Sequence, residues 1–310
     1  MNIDMEQTSK STDVKIPNFF YIGTSKAGST WIYNLLLQHP QVYMAPGKGL
    51  YFFDSNYNLG FEWYLDHFKP SDDKLIIGEV SHTYLYSILA CQRIYRLNPN
   101  AKLMVCLREP VERAFSDYLH AVKNTQFHGT FEEALEKIPS LIEKGRYVIH
   151  LAPYIERFGR KNIYVALFDD LTRDPREFAK NLFSFLGLES IKISESVSQK
   201  MMPAGKPRSR VLAQLAKKGS SVLRRLRWRK LRGKIKTSRF IRNLFFGQFE
   251  LDDKPKINSA TGLELKKHFR NDVIYLEKLL GIAFSELWRY SRSSDSEMIS
   301  SNELLQEGTH

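Results

Sequence analysis

The sequence contains only two cysteines, Cys91 and Cys106, too few for a disulfide framework or a four-cysteine metal site. Both lie in apolar runs, and a reducing compartment fits them best. No apolar stretch reaches the roughly 20 residues of a membrane-spanning helix. The opening segment, MNIDMEQTSKSTDVKIP, lacks the apolar centre of a secretory signal. The expectation is a soluble, cytoplasmic protein. Acidic residues are missing between Lys206 and Phe249, a stretch that holds 15 Lys and Arg. The net charge of +12 therefore belongs to one segment, and the remainder is slightly acidic. No internal repeat and no acidic pair suited to a metal ion stand out.

Apolar residues make up 43% of the chain and aromatics 13%, enough for a packed core and too much for disorder throughout. Residues 1–15 read as a disordered tail and 292–310 as a loose Ser/Glu-rich one, leaving a single domain over 16–291. Short apolar runs at 19–22, 75–78, 102–107 and 162–168 have the pattern of buried strands. Helical patterns follow at 30–38, 83–97, 111–123 and 175–186, the third opened by Pro110 and the last closed by Gly187. Residues 211–246 and 263–280 also look mainly helical. Strands alternating with helices predict an α/β three-layer sandwich with a central parallel sheet.

The segment GTSKAGST, 23–30, stands between the first strand and the first helix. Such a turn exposes backbone N–H groups at a helix N-terminus, where the dipole favours an anion. Gly23 and Gly28 let the backbone approach a phosphate closely, Ser29 and Thr30 add hydroxyl donors, and Lys26 adds a cation. The alternative is an ordinary turn before a capped helix. Lys26 precedes Gly28 and no lysine follows it, so the G-x-x-x-x-G-K-[ST] order of ATP- and GTP-hydrolysing loops is absent. Further along, Arg108 leaves the carboxyl end of a strand, where open α/β sheets bind ligands, and Ser116 lies about two turns into the next helix. A guanidinium fork and a hydroxyl suit a terminal phosphate, although an ion pair of Arg108 with Glu109 or Glu112 is the plainer alternative.

Lys26-Ala27-Gly28-Ser29-Thr30-Trp31 resembles the K-x-G-[ST]-[ST]-W loop of the sulfotransferases, and Val105 to Tyr118 is similar to their 3′-phosphate segment. The resemblance runs from about Asn18 to Trp288. It implies that these six residues hold the 5′-phosphosulfate of 3′-phosphoadenosine-5′-phosphosulfate (PAPS), that Arg108 and Ser116 hold its 3′-phosphate, and that no metal is needed. Residues 203–209 resemble the late G-x-K/R loop that folds over the nucleotide, making Lys206 and Arg208 further donor contacts, with a plain basic linker as the alternative.

Residues 46–54 (PGKGLYFFD) are similar to the P-x-K-E-x-H-F-F-D stretch of carbohydrate-type members, and 78–84 (GEVSHTY) to their G-E-K-[ST]-P-x-Y stretch. The pattern breaks where the base is expected: Gly49 stands in place of the family's Glu, and Tyr51 in place of its His. An acceptor hydroxyl must lose a proton as it attacks sulfur. Glu79, at a strand's carboxyl end, and His82, with an ordinary pKa of about 6.5, are level candidates. A structural salt bridge and a solvated or capping histidine are their plainer roles. Lys48 is positioned by sequence to stabilise the transferring group beside Lys26, in a chemistry dominated by positioning and electrostatics.

The cationic stretch 206–249 admits three roles: an outer face of the catalytic domain, a docking surface for a polyanionic acceptor, or a membrane-surface helix. It follows directly on 203–209, so a lid over the donor also fits. No nucleic-acid reader motif accompanies it. Two other function classes stay open at this level: a small-molecule kinase with an unusual phosphate loop, and a non-catalytic nucleotide- or membrane-binding relative. The acceptor class, whether hydroxyl or amine, carbohydrate, lipid or small molecule, is not written in the motifs.

Overall fold

The computed structural model describes residues 15–124, 126–194, 205–207, 246–248 and 255–290. Both tails, Arg208 and the expected helices over 211–245 lie outside these residues. In chain order the elements are β1 (Phe19–Gly23), α1 (Ser29–Leu36), β2 (Val42–Met44), α2 (Phe61–Leu65), β3 (Ile76–Val80), α3 (Ile88–Leu97), β4 (Lys102–Leu107) and α4 (Pro110–Lys123). Then follow α5 (Phe131–Lys137), α6 (Ser140–Glu143), α7 (Tyr147–Phe158), β5 (Ile163–Leu167), α8 (Phe168–Arg173) and α9 (Pro175–Leu186). A two-stranded antiparallel pair, β6 (Gly205–Pro207) with β7 (Phe246–Gln248), precedes α10 (Ser259–Leu280) and α11 (Phe284–Leu287).

The five strands β1 to β5 form one parallel sheet in the order β2-β3-β1-β4-β5. Side chains of a strand alternate between faces, and here the alternation divides the core in two. Phe20 and Ile22 of β1, with Leu103, Val105 and Leu107 of β4, pack under α3, α4, α7 and α10. Phe19 and Tyr21, with Met104 and Cys106, pack under α1, α8 and α9. The three-layer α/β sandwich anticipated from the alternating pattern is therefore what forms. Cys91 and Cys106 are buried and unbridged, one in each core.

Local signals set most helix ends. Pro110 opens α4, and the Glu109 carboxylate accepts from Glu112 N at 2.7 Å. Several boundaries differ from the sequence pattern: β3 runs on to Val80 and takes in Glu79, α10 starts at Ser259, and the largest difference is at the third helix. The helix expected over 83–97 begins at Ile88, because Ser87 is extended (φ −131°, ψ 110°) and its side chain caps Ala90 N. Tyr84–Tyr86 forms a separate 3₁₀ turn instead. Strand β2 has three residues, too few for a periodicity to show.

From β1 the chain moves to β2 and β3 on one side, and β4 then takes the other side. That reversal opens a crevice beyond the carboxyl ends of β1, β3 and β4, where ligands bind in sheets of this kind. The segments 23–30, 80–84 and 107–110 all emerge there.

Candidate active site

The loop after β1 is tied to the sheet before it turns away. Thr24 donates to Cys106 O through both its backbone N (3.1 Å) and its hydroxyl (3.0 Å). Lys26 is then held in the left-handed region at φ 67°, a conformation that costs energy outside glycine and concentrates at functional sites. Gly28 occupies the N-cap of α1 at φ 80° with no side-chain cap, so the first N–H groups of the helix have no intrahelical partner. Ala27 and Trp31 turn inward: both are buried in the core, Trp31 edge-on to Phe178 at 5.7 Å. Of the residues expected to touch the donor, these two offer backbone only.

Lys48 arrives from a different segment. Its ammonium donates to Ser29 Oγ at 3.2 Å and to Thr30 Oγ1. The turn that carries it is fastened to α1 by Tyr33, whose hydroxyl accepts from Gly47 N at 2.8 Å and donates to Ala45 O at 3.0 Å. Gly49 N donates to Val80 O at 2.8 Å, which ties the turn to β3 as well. Ser29, Thr30 and Lys48 thus meet at the helix N-terminus, three residues beyond Lys26, a donor set suited to an anion.

Arg108 lies beside this loop. Its Nη1 donates to Lys26 O at 3.3 Å, and its guanidinium sits 4.7 Å from the Phe168 ring centroid. The ion pair with Glu112 is also real, at 3.1 Å, and Glu112 is largely exposed. Ser116 stands one helical turn past Glu112, on the same face of α4. Asp117 is a residue the motif reading passed over, although it directly follows Ser116. It accepts from Ser25 Oγ at 3.4 Å and from the fully buried Arg113 at 3.3 Å, with Lys144 at 3.9 Å. Burial lowers the Lys26 pKa to about 8, and Asp117 pulls in the opposite direction. Lys206 contributes a described backbone within β6.

Among the described residues Glu79 forms no salt bridge, which was its plainer role. It is 1% exposed and accepts from three hydroxyls: Ser81 at 2.7 Å, Tyr64 at 2.9 Å and Tyr84 at 3.0 Å. Two of these hydroxyls are themselves acceptors. Ser81 Oγ takes Tyr51 N at 3.1 Å, and Tyr84 takes Phe52 N at 2.9 Å and Phe53 N at 3.3 Å. The carboxylate is therefore the hub of a buried network that shapes residues 51–53. With its oxygens engaged and no surface exposed, it positions the loop. Burial raises its pKa to about 7 despite the three donors.

His82 stands two residues past the end of β3, with Tyr51 Oη 3.1 Å from its Nδ1 and 3.5 Å from its Nε2, the rings edge-to-face at 5.4 Å. Burial, then Lys48, Lys144 and Lys26, lower its pKa to about 4, while Asp117 opposes them. The imidazole is thus neutral at physiological pH. Of the two candidate bases, Glu79 is fully buried and His82 only partly so, just beyond the carboxyl end of β3.

Glu79 makes stability depend on pH. Its folded pKa of about 7 exceeds the ordinary 4.5, so the folded chain binds the proton more tightly across that interval. The Glu79 contribution to stability should fall as pH rises from 4.5 to 7, by up to about 3 kcal/mol, while His82, whose pKa is lowered, contributes an opposite slope over most of that interval. Urea unfolding should therefore show stability rising more steeply with pH in Glu79→Gln than in the wild type. Equal slopes in both would remove Glu79 as a contributor.

Comparison with known proteins agrees with this geometry. The sulfotransferase domain family matches residues 17–234. The chain is 33% identical over 137 residues to the membrane-associated sulfotransferase kil1 of Dictyostelium discoideum, covering 41% of this chain and 29% of that one. It is 30% identical over 192 residues to the human (Homo sapiens) heparan sulfate glucosamine 3-O-sulfotransferase 3B1, covering 59% and 49%. The chain thus spans less than half the length of either relative. A solved sulfotransferase from Alicyclobacillus acidocaldarius superposes with a TM-score of 0.65 at 25% identity, covering 89% of this chain and all of that one. With the family match spanning more than half of its residues, this chain belongs to the sulfotransferases.

Proposed function

We propose that the protein transfers a sulfuryl group from PAPS to a hydroxyl or amine of a carbohydrate, lipid or other small-molecule acceptor. The observation that carries this reading is the reach of Lys48 onto both hydroxyls of the β1–α1 loop, Ser29 and Thr30. It supplies, from a separate segment, the cation that the loop's own residue order places elsewhere. A kinase reading lacks the Gly-Lys-[Ser/Thr] order on which magnesium-nucleotide binding depends.

The donor set fits PAPS at both ends. The backbone of 26–31, with Lys26, Ser29, Thr30 and Lys48, would hold the 5′-phosphosulfate; Arg108 and Ser116 would hold the 3′-phosphate. When bound there, PAPS supplies an activated sulfuryl group on a phosphate leaving group. Lys48 and Lys26 stabilise charge that shifts toward the bridging oxygen. Arg108 exchanges a solvent-exposed carboxylate, Glu112, for a phosphate, trading a weakly held partner for a stronger one. Lys206 and Arg208 complete the nucleotide contacts in this reading.

The acceptor side is supported by the relatives' names, which include heparan sulfate enzymes, and by the cationic stretch 206–249. That stretch suits contact with a polyanion, whether a sulfated carbohydrate or an anionic membrane surface. The reading keeps the cytoplasmic setting expected from the low cysteine count. Among the described residues no helix is long and apolar enough to cross a membrane.

Thermal unfolding tests the donor half. 3′-Phosphoadenosine-5′-phosphate at a hundred times its Kd should stabilise the protein by about 2.7 kcal/mol, and ATP with magnesium should not. Lys48→Ala and Arg108→Ala should each lose most of that effect. Stabilisation by ATP with magnesium alone would replace sulfuryl transfer with the kinase reading. Labelled PAPS offered to a panel of oligosaccharides, lipids and phenols should label at least one acceptor; nucleotide binding with no labelled product would favour a non-catalytic relative.

A further inference from the structure

A carboxylate beside an anion-binding loop repels the ligand, so the placing of Asp117 calls for a reason. Its side chain is mostly buried, 16% exposed, and Oδ2 is the common point of three contacts. Ser25 Oγ approaches from the β1–α1 loop at 3.4 Å, Arg113 Nη1 from the preceding turn of α4 at 3.3 Å, and Lys144 Nζ from just past α6 at 3.9 Å. Arg113 is fully buried and also donates to Leu141 O of α6, which fixes the guanidinium, and with it the carboxylate, between the two helices. Pairing with Arg113 accounts for a carboxylate at this position on α4. It does not account for the reach to Ser25, the residue before Lys26.

Lys26 is held in the left-handed region at φ 67°, with its carbonyl accepting from Arg108 Nη1 at 3.3 Å. The charged groups facing its ammonium are Asp117 and Lys123 of α4 and Arg108 beyond β4. His82, beyond β3, meets the same field together with Lys48 and Lys144. Among these groups Asp117 alone is negative. We infer that Asp117 is a positioning residue of the donor site: it anchors the loop through Ser25 and supplies the negative neighbour of the Lys26 ammonium before an anionic donor does. The second half rests on the sulfuryl-transfer reading, which names that donor.

Taking a lysine out of water disfavours its charged form. Burial lowers the Lys26 pKa to about 8; Asp117 opposes the fall, and Lys123 and Arg108 add to it. Without the carboxylate the ammonium would lose part of its charge near neutral pH, and a neutral amine attracts a phosphosulfate far less than a cation does. Once the donor is bound, its own negative charge holds the proton on Lys26. The repulsion between donor and Asp117 is the penalty for keeping the free protein's lysine charged.

Asp117→Asn tests this through pH. Binding that needs a charged Lys26 weakens about tenfold per pH unit above the lysine's pKa, and loss of a close opposite charge lowers that pKa by about one unit or more. The Kd for 3′-phosphoadenosine-5′-phosphate, variant over wild type, should therefore rise about tenfold as a ratio between about pH 6 and about pH 8.5. At the lower pH the variant should bind at least as tightly as the wild type. The nucleotide's own phosphate titrations are common to both proteins and cancel in the ratio. A ratio that stays constant with pH would mean that Asp117 serves only the fold, and would overturn the role. Asp117→Asn leaves a buried guanidinium unpaired, which is strongly destabilising. The double variant Arg113→Met/Asp117→Asn removes the pair together, and its ratio should move in the same direction. A measurement that needs no nucleotide uses carbon-labelled lysine, with Lys26 assigned by its loss in Lys26→Met. Its Cε signal should titrate at about pH 8 in the wild type and at lower pH in both Asp117 variants. An unmoved titration would also overturn the role. A titration that moves, in a protein that binds no nucleotide, would support the coupling of Asp117 to Lys26 and overturn the sulfuryl-transfer reading.

Discussion

The desolvation of a single carboxylate organises this site. Removing Glu79 from water is costly, and only hydrogen bonding to its oxygens makes such burial tolerable. Here three hydroxyls approach it from the α2 segment, from the end of β3 and from the following 3₁₀ turn. Since two of those hydroxyls also accept backbone N–H groups of residues 51–53, satisfying the carboxylate fixes the path of the neighbouring loop. The chain beside the crevice is shaped by what lies beneath it, and the side chains facing the crevice are left available for chemistry.

That arrangement separates two roles which the motifs alone leave tangled. Glu79 and His82 are three residues apart and both stand at the carboxyl end of β3. One points into the core occupied by Ile77 and Leu103, and the other is partly buried against Tyr51. The strand's two-residue period places Glu79 on the same face as Ile77. Beyond Val80 the strand ends and the period no longer applies, which is why His82 could not be assigned a direction from the pattern.

Much of the architecture was legible because it rests on local rules. Buried strands show as unbroken apolar runs, and Pro110 and Gly187 mark helix ends by backbone constraint alone. The anion loop was legible for a similar reason: its glycine, lysine and hydroxyls act through one short turn. What stayed hidden depends on contacts between distant segments. Lys48 meeting Ser29 and Asp117 meeting Ser25 each involve chain segments whose approach no residue pattern states. The inward direction of Trp31 was also hidden, since a motif names a residue without saying whether its side chain or its backbone does the work.

Tyr33 has a mechanical meaning that extends past its two hydrogen bonds. Its ring rides on the helix whose first turn receives the anion, and its hydroxyl grips the turn that carries Lys48. The two halves of the crevice accordingly share one datum. Tyr33 thus couples the turn to α1 while Gly49 N couples it to β3, which limits how far the ammonium can move from the loop hydroxyls. A phenol that bonds none of the anion-site side chains acts as a gauge block between the two segments that carry them.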